Sequence, residues 1–206
     1  MDTRSTGARD DDAELAAVTR ELGHRRYRLR FAPDLEAGYR ADQNGRAVSA
    51  FRRTGLFILM IYLLLSSGIY ALMPAEDVGR WLSLYGWVGV IIVVVMAASH
   101  VRLFDRAYQY YIGTGAFVSV ALSVAVTGVV KHPEAASLTN AAIMYAMVII
   151  YAICGLRFTV ALVAGWCGGL AGEMLAGLLG GAVDWLVLHR TYTGASLLGM
   201  FLAYIG

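Results

Sequence analysis

Charge is scarce in this chain. Of its 206 residues only 16% are Asp, Glu, Lys or Arg, against roughly a quarter in soluble domains, while 58% are apolar and the mean hydropathy is +0.60. That balance excludes an ordinary soluble domain and implies an integral membrane protein. Cysteine is nearly absent as well. Cys154 and Cys167 both lie in apolar runs, which argues against a disulfide scaffold and leaves too few thiols for a structural zinc site; both are expected to be small packing or lipid-facing residues. The sequence also lacks a Gly-rich phosphate loop, a Ser/His/Asp arrangement, a carboxylate pair in a plausible pocket, and any His or Cys cluster at metal-ligand spacing. No catalytic, cofactor-binding or metal-ligating residue is therefore assigned, no cofactor is expected in this chain, and nucleic acid is not expected as a partner.

What is present is a series of long apolar stretches. A hydrocarbon layer of ~30 Å needs about 20 helical residues, and 54–73, 81–101, 108–130, 138–155 and 158–183 meet that length. A sixth stretch, 191–206, would cover about 24 Å as a helix and reads as cut at the membrane border. Turn and polar signals separate them: Pro74 with Glu76 and Asp77, Arg102 to Arg106, Lys131 to Glu134, Arg157, and His189 with Arg190. The long unbroken runs do not alternate, which excludes a transmembrane β-barrel. The first apolar run starts after some fifty polar residues and is long enough to span, so no cleavable signal peptide is read. The expected fold is an all-α integral membrane protein, a six-transmembrane-helix bundle with a cytoplasmic N-terminal segment.

Eleven of the seventeen basic residues precede Thr54. Together with Arg102, Arg106 and Arg157 they put fourteen on one side of the membrane, against Arg80, Lys131 and Arg190 on the other. The positive-inside rule then places the N-terminus in the cytoplasm, and six spans return the C-terminus to the same side. Residues 1–26 read as a disordered cytoplasmic tail, with at most a short helix around 12–22. Residues 27–53 read as a juxtamembrane amphipathic helix starting near Pro33, with Asp34 and Glu36 at the positive end of the helix dipole. Arg28, Arg30, Arg52 and Arg53 are candidate contacts to anionic headgroups of the inner leaflet, or serve only to fix topology. Residues 54–206 form the bundle.

One carboxylate lies inside a span. Glu173 falls near the middle of 158–183, where an ionised group costs at least a few kcal/mol, about 2.5–3.5 on insertion scales, so it must face the bundle interior, water or a partner. It sits among glycines. Gly165 and Gly169, Gly168 and Gly172, and Gly177 and Gly181 form GxxxG spacings, and Gly169, Glu173 and Gly177 share a face. Glu173, Gly165, Gly169, Gly172 and Gly177 are thus candidates for intramembrane sensing or for an interface; the alternative is a protonated Glu173 bonded to a neighbouring helix of a tight bundle. His24, His100, His132 and His189 fall at membrane borders or in loops and are not expected to form one site. His132 and His189 are candidate pH-sensitive groups of the outer face, since imidazole is the side chain that changes charge near neutrality.

The segment Leu29-Arg30-Phe31-Ala32-Pro33-Asp34-Leu35-Glu36, with Tyr39-Arg40 and the basic run before the first span, resembles the N-terminus of six-helix membrane sensors upstream of bacterial diguanylate cyclase (GGDEF) domains, and related sensors of class III adenylyl cyclases. Gly155-Leu156-Arg157-Phe158-Thr159-Val160-Ala161-Leu162 resembles a tight turn of the same modules. The resemblance covers about residues 27–206 and carries over no catalytic residue. It implies a sensor and transducer that relays a membrane or periplasmic signal through its sixth helix to a cytoplasmic catalytic domain. The expected partners are the lipid bilayer, a second copy in a homodimer, with helices five and six forming part of the dimer or coupling surface, and a membrane protein or lipophilic ligand as stimulus. A class III adenylyl cyclase anchor, a stand-alone membrane partner protein and a small transporter using Glu173 are the alternatives.

Overall fold

A computed structural model describes residues 33–181 and 183–205, and every regular element among them is helical. In chain order these are α1 (Pro33–Leu72), α2 (Ala75–Ala98), α3 (Arg102–Ala125) followed by a 3-10 turn (Val126–Gly128), α4 (Pro133–Ala152), α5 (Phe158–Leu179) and α6 (Trp185–Ile205). Residues 1–43 and 44–206 are separate compact units, and the bundle lies in the second. The expectations for 1–26, Arg28 and Arg30 fall outside the described residues.

Five of these helices are long and apolar enough to cross a membrane; α6 is not among them. It starts at Trp185, six residues before the expected stretch, and so takes His189, Arg190 and Thr191 into its first two turns. Other boundaries differ for related reasons. Helix α1 continues unbroken through Arg52 and Arg53, because arginine is a good helix former and needs no break. Helix α2 includes Glu76 and Asp77 in its first turn, where acids are favoured by the dipole. Helix α4 starts with Pro133 at its first position, the one helical position that loses nothing from proline's missing N–H. The Arg102–Arg106 stretch is helical, and non-helical angles at Ala107 (φ −114°, ψ 18°) kink α3 there. Helix α5 ends at Leu179, earlier than residue 183, because Gly180 takes a left-handed conformation (φ +70°) that a residue with Cβ rarely adopts.

Helices alternate in direction, so the α1–α2, α3–α4 and α5–α6 junctions gather at one end and the α2–α3 and α4–α5 junctions at the other. The α1–α2 pair leaves most of its apolar stretch uncovered, 17% of each being buried, whereas α3 is 61% buried and is the axis of the bundle. Its partner is α5, running parallel to it. A Cβ on Gly168 would stand 2.7 Å from the Phe117 carbonyl oxygen, and one on Gly172 2.6 Å from that of Ala121 and from Val124 Cβ. At the far end Gly128 lies against the Ala176 backbone and Gly181 against Gly128. Glycines and alanines at four-residue steps thus let two backbones touch, the usual device of close membrane-helix packing.

Three apolar clusters fill the remainder. Val120, Ile143, Met147, Ala164 and Leu188 join α3, α4, α5 and α6; Ile69, Trp81, Tyr85 and Val126 close the junction-rich end; and Val48, Phe51, Phe104 and Tyr108 close the other. Replacing Gly172 with Val should cost about 1–3 kcal/mol, the usual penalty for overpacking. Gly79→Ala, at an exposed site with nothing within 4 Å, should gain up to about 1 kcal/mol from helix propensity. The unfolding midpoints of the two purified variants should move in opposite directions.

Candidate functional site

Two carboxylate–imidazole pairs mark the junction-rich end. The first is built on Asp77, third residue of α2, whose own N–H donates to the Pro74 carbonyl (2.9 Å). Its side chain is fully buried and turns toward the α3–α4 junction. There the carboxylate accepts the backbone N–H of Lys131 (3.1 Å to each oxygen), the backbone N–H of His132 (2.9 Å) and the His132 ring Nδ1 (2.9 Å), while Arg80 Nη1 approaches from the next turn of α2 (3.0 Å). An ionised carboxylate only accepts, so Nδ1 carries the proton in this pairing. Burying the charge is tolerable because every contact is charge-assisted and the helix N-terminus adds its positive potential. Glu76 Oε2 lies 3.9 Å from His132 Nε2 but its side chain is 80% exposed, so it adds little. One side chain therefore ties the start of α2 to the start of α4.

The second pair joins α5 to α6. Glu173 Oε1 lies 3.0 Å from His189 Nδ1; the Glu173 side chain is 13% exposed and that of His189 57%. Glu173 is six residues short of Leu179, about 9 Å from the helix end, between the middle of α5 and its junction with α6. One turn to either side, Gly169 lies under the Tyr192 ring and Gly177 beside Trp185, so the shared face of Gly169, Glu173 and Gly177 is turned to α6 of the same chain. Gly172 meets α3, as above, and Gly165 meets the Tyr151 hydroxyl of α4, at 2.7 Å from where its Cβ would be. The glycines read as an interface or sensing set are thus occupied by the chain's own helices. A dimer contact at Gly165, Gly169 or Gly172 would have to displace that packing.

The opposite end is held by neutral and helix-end interactions. Arg52 Nε donates to the carbonyl of Ser99 (2.7 Å), the C-terminal cap of α2, where a cation meets the negative end of the helix dipole. Arg53 Nε reaches the Ser49 carbonyl in its own helix (3.2 Å). The Tyr108 hydroxyl donates to the Cys154 carbonyl, and Gln109 Oε1 accepts the Arg157 N–H (3.0 Å). Between α1, α2, α3 and α4 lies a cavity of about 90 Å³ with almost wholly apolar walls, among them Ile58, Tyr62, Val88, Ile112 and Ile149. Tyr62 spends its hydroxyl on the Tyr85 carbonyl (2.8 Å), which leaves the space suited to an apolar group. Among the described residues no three His, Cys, Asp or Glu side chains group to hold a metal ion. Cys154 is buried and Cys167 exposed, both as free thiols.

Asp77 is the residue that sequence reasoning missed. It read as a polar break between spans, and its ligands lie 54 and 55 positions away, beyond the reach of any local pattern. Asp77→Ala should destabilise the bundle by about 1.5–3 kcal/mol, the value of hydrogen bonds to a charged group. Glu76→Ala should stay within about 0.5 kcal/mol, as exposed substitutions do. Comparing the two by thermal unfolding in one detergent or lipid mimetic checks this.

No protein-family model matches this chain, nor does any curated protein or solved structure, so its side-chain geometry and its sequence motifs are the ground for a functional reading.

Proposed function

We propose that this chain is the membrane-embedded sensing and transducing part of a bacterial signalling protein, with a diguanylate cyclase as its output. Five helices of spanning length and the uncovered Leu56, Phe57, Met60, Leu63 and Leu64 of α1 support lipid as the surrounding solvent, since water would not tolerate so continuous an apolar patch. The excess of arginine before Thr54 supports an N-terminus in the cytoplasm, with the two carboxylate–imidazole pairs at the outer face; the C-terminus is cytoplasmic as well on the further proposal that α6 crosses as a sixth span.

The observation that carries the reading is the placement of those pairs. Each bridges two helices at the same end: Asp77–His132 holds α2 to α4, and Glu173–His189 holds α5 to α6. A change in protonation or the arrival of a cation there alters the contacts of α6 at its first turns, and α6 runs from that point to the cytoplasmic side. A stimulus acts only through contacts that differ between two packings, and on this reading the Glu173–His189 pair is the contact of that kind on α6. A class III adenylyl cyclase would use the same arrangement.

Two experiments test the reading. Single cysteines at Glu134 and Asp184 should react with a membrane-impermeant maleimide added outside intact cells, and one at His100 should not; the reverse pattern would turn the topology over. The full chain, fused after Ile205 through a continuous helix to a diguanylate cyclase domain, should change cyclic dinucleotide output at least about fivefold between neutral and acidic medium, the lower bound of ordinary allosteric coupling. Glu173→Gln and His189→Gln should reduce that response. Output indifferent to pH and to both substitutions would sink the proposal and favour a transporter or a stand-alone partner protein.

A further inference from the structure

The seam between α4, α5 and α6 holds more buried polar atoms than it satisfies. Tyr192 is 2% exposed and donates its hydroxyl to the Gly165 carbonyl (2.9 Å). Tyr151, 4% exposed, lays its ring against Gly199 and aims its hydroxyl at Gly165 from the other side. Ser196, one turn beyond Tyr192 on α6, is fully buried. The Tyr151 hydroxyl meets no hydrogen-bond partner among the described residues, and Ser196 Oγ, which faces Tyr192 one turn away, makes no well-formed hydrogen bond there. A buried hydroxyl without a partner costs about 1–3 kcal/mol, and two under-satisfied hydroxyls in one seam are not expected in a dry interior.

The same faces lead outward. On α6, His189, Tyr192 and Ser196 recur at three- and four-residue steps; on α5, Glu173, Gly169 and Gly165 recur at four-residue steps. Moving inward, the order is Glu173 with His189, then Gly169 under the Tyr192 ring, then Gly165 between two tyrosine hydroxyls, over about 10 Å of α6. The glycines leave room for these rings on that face. The ionisable groups brought to the seam are His189 and Tyr192 from α6, Tyr151 from α4, and Glu173 from α5. Helix α3, packed on α5, has none beyond Tyr111. Cys167 of α5 and Arg190 of α6 are exposed, and so is Asp184 before α6.

We propose that this seam binds water and, through it, protons: Tyr151, Tyr192 and Ser196 are the inner ligands of ordered water, and the Glu173–His189 pair is the mouth where protons exchange with the outer medium. Internal water makes two to four hydrogen bonds to such groups, which supplies the partners that Tyr151 and Ser196 lack. A proton entering at the mouth forms one O–H bond on Glu173 as an O–H bond of the donating hydronium breaks, and the neutral carboxyl holds His189 less tightly than the carboxylate did. The hydrated site stands on its own geometry, and only its use as a sensor rests on the function proposed above.

The test is a sign. In lipid nanodiscs carrying the full chain, Tyr151→Phe and Ser196→Ala should each lower the thermal unfolding midpoint by a few degrees, because bound water loses a ligand. Each should also shift the pH midpoint of the Glu173 carboxyl infrared band, assigned by its loss in Glu173→Gln. If either substitution leaves the unfolding midpoint unchanged or raises it, the hydroxyl was dry and the proposal is overturned; an unmoved Glu173 midpoint in both variants overturns it as well. Shifts as expected alongside a pH-indifferent cyclase fusion would uphold the hydrated site and remove its sensing role.

Discussion

The backbone contact between α3 and α5 is the constraint from which the rest of the bundle follows. Gly168 and Gly172 leave no space for a methyl group against the Phe117 and Ala121 carbonyls, and Gly128 meets Ala176 in the same way. Two parallel helices drawn this close must be joined by an element crossing back, which is α4, and both present their outer faces to further helices. Larger side chains fill the wider gaps elsewhere: Tyr62 stacks on Tyr85 between α1 and α2 (ring centroids 5.5 Å apart), and Phe51 packs on Phe104 and Tyr108 between α1 and α3. The molecule thus has a tight pair at its axis and more loosely spaced, aromatic-filled layers outside it, one of which contains the apolar cavity.

Against this axis the charged groups are economical. Asp77 satisfies its buried carboxylate with backbone N–H groups of another junction. Those donors are fixed by the chain and do not titrate, so the pairing persists even where the imidazole swings away. Glu173 has a different environment. Its pairing in the structure is with an imidazole that is itself more than half exposed, so the medium reaches this contact. The two carboxylates, superficially alike, thus differ: one is held by fixed backbone donors, the other by a side chain open to the medium.

Much of the helix layout was legible because apolar length alone identifies helices that can cross a membrane. The boundaries were less so. Glu76 and Asp77 read as a loop because charge ordinarily marks one, yet an acid in a first turn is favoured by the dipole. Glu173 was conspicuous as a carboxylate in an apolar run, but its partner lies beyond the α5–α6 junction, and nothing in the spacing names it. The GxxxG pattern announced close packing without saying with what: a four-residue stripe fits a second copy as well as it fits α3, and only the three-dimensional arrangement shows Gly172 under Val124 and Gly169 under Tyr192. The hydroxyls of Tyr151 and Ser196 gave no signal at all, since Ser and Tyr in an apolar helix are commonplace and their lack of a partner is a property of the fold.

How α6 is held decides whether it can report on its outer end. Helix α5 is locked to α3 by backbone contact, so any shift there meets a steep repulsion. Helix α6 is instead seated through side chains: Tyr192 on Gly169, Tyr151 on Gly199, Trp185 beside Gly177, and His189 on Glu173. Rings lying on glycines form smooth contacts that can slide or turn at the cost of dispersion energy alone, because a glycine presents no Cβ to climb over. The polar contacts that index the position of α6 are the Tyr192–Gly165 hydrogen bond and the Glu173–His189 pair, and the second lies at the accessible end. Among the described residues, loosening it leaves the Tyr192–Gly165 hydrogen bond and the burial of Leu188, Tyr192 and Ala195 to hold the register of the helix. On the proposed reading this makes α6 the part of the bundle with two packings close in energy, which any relay across a membrane requires.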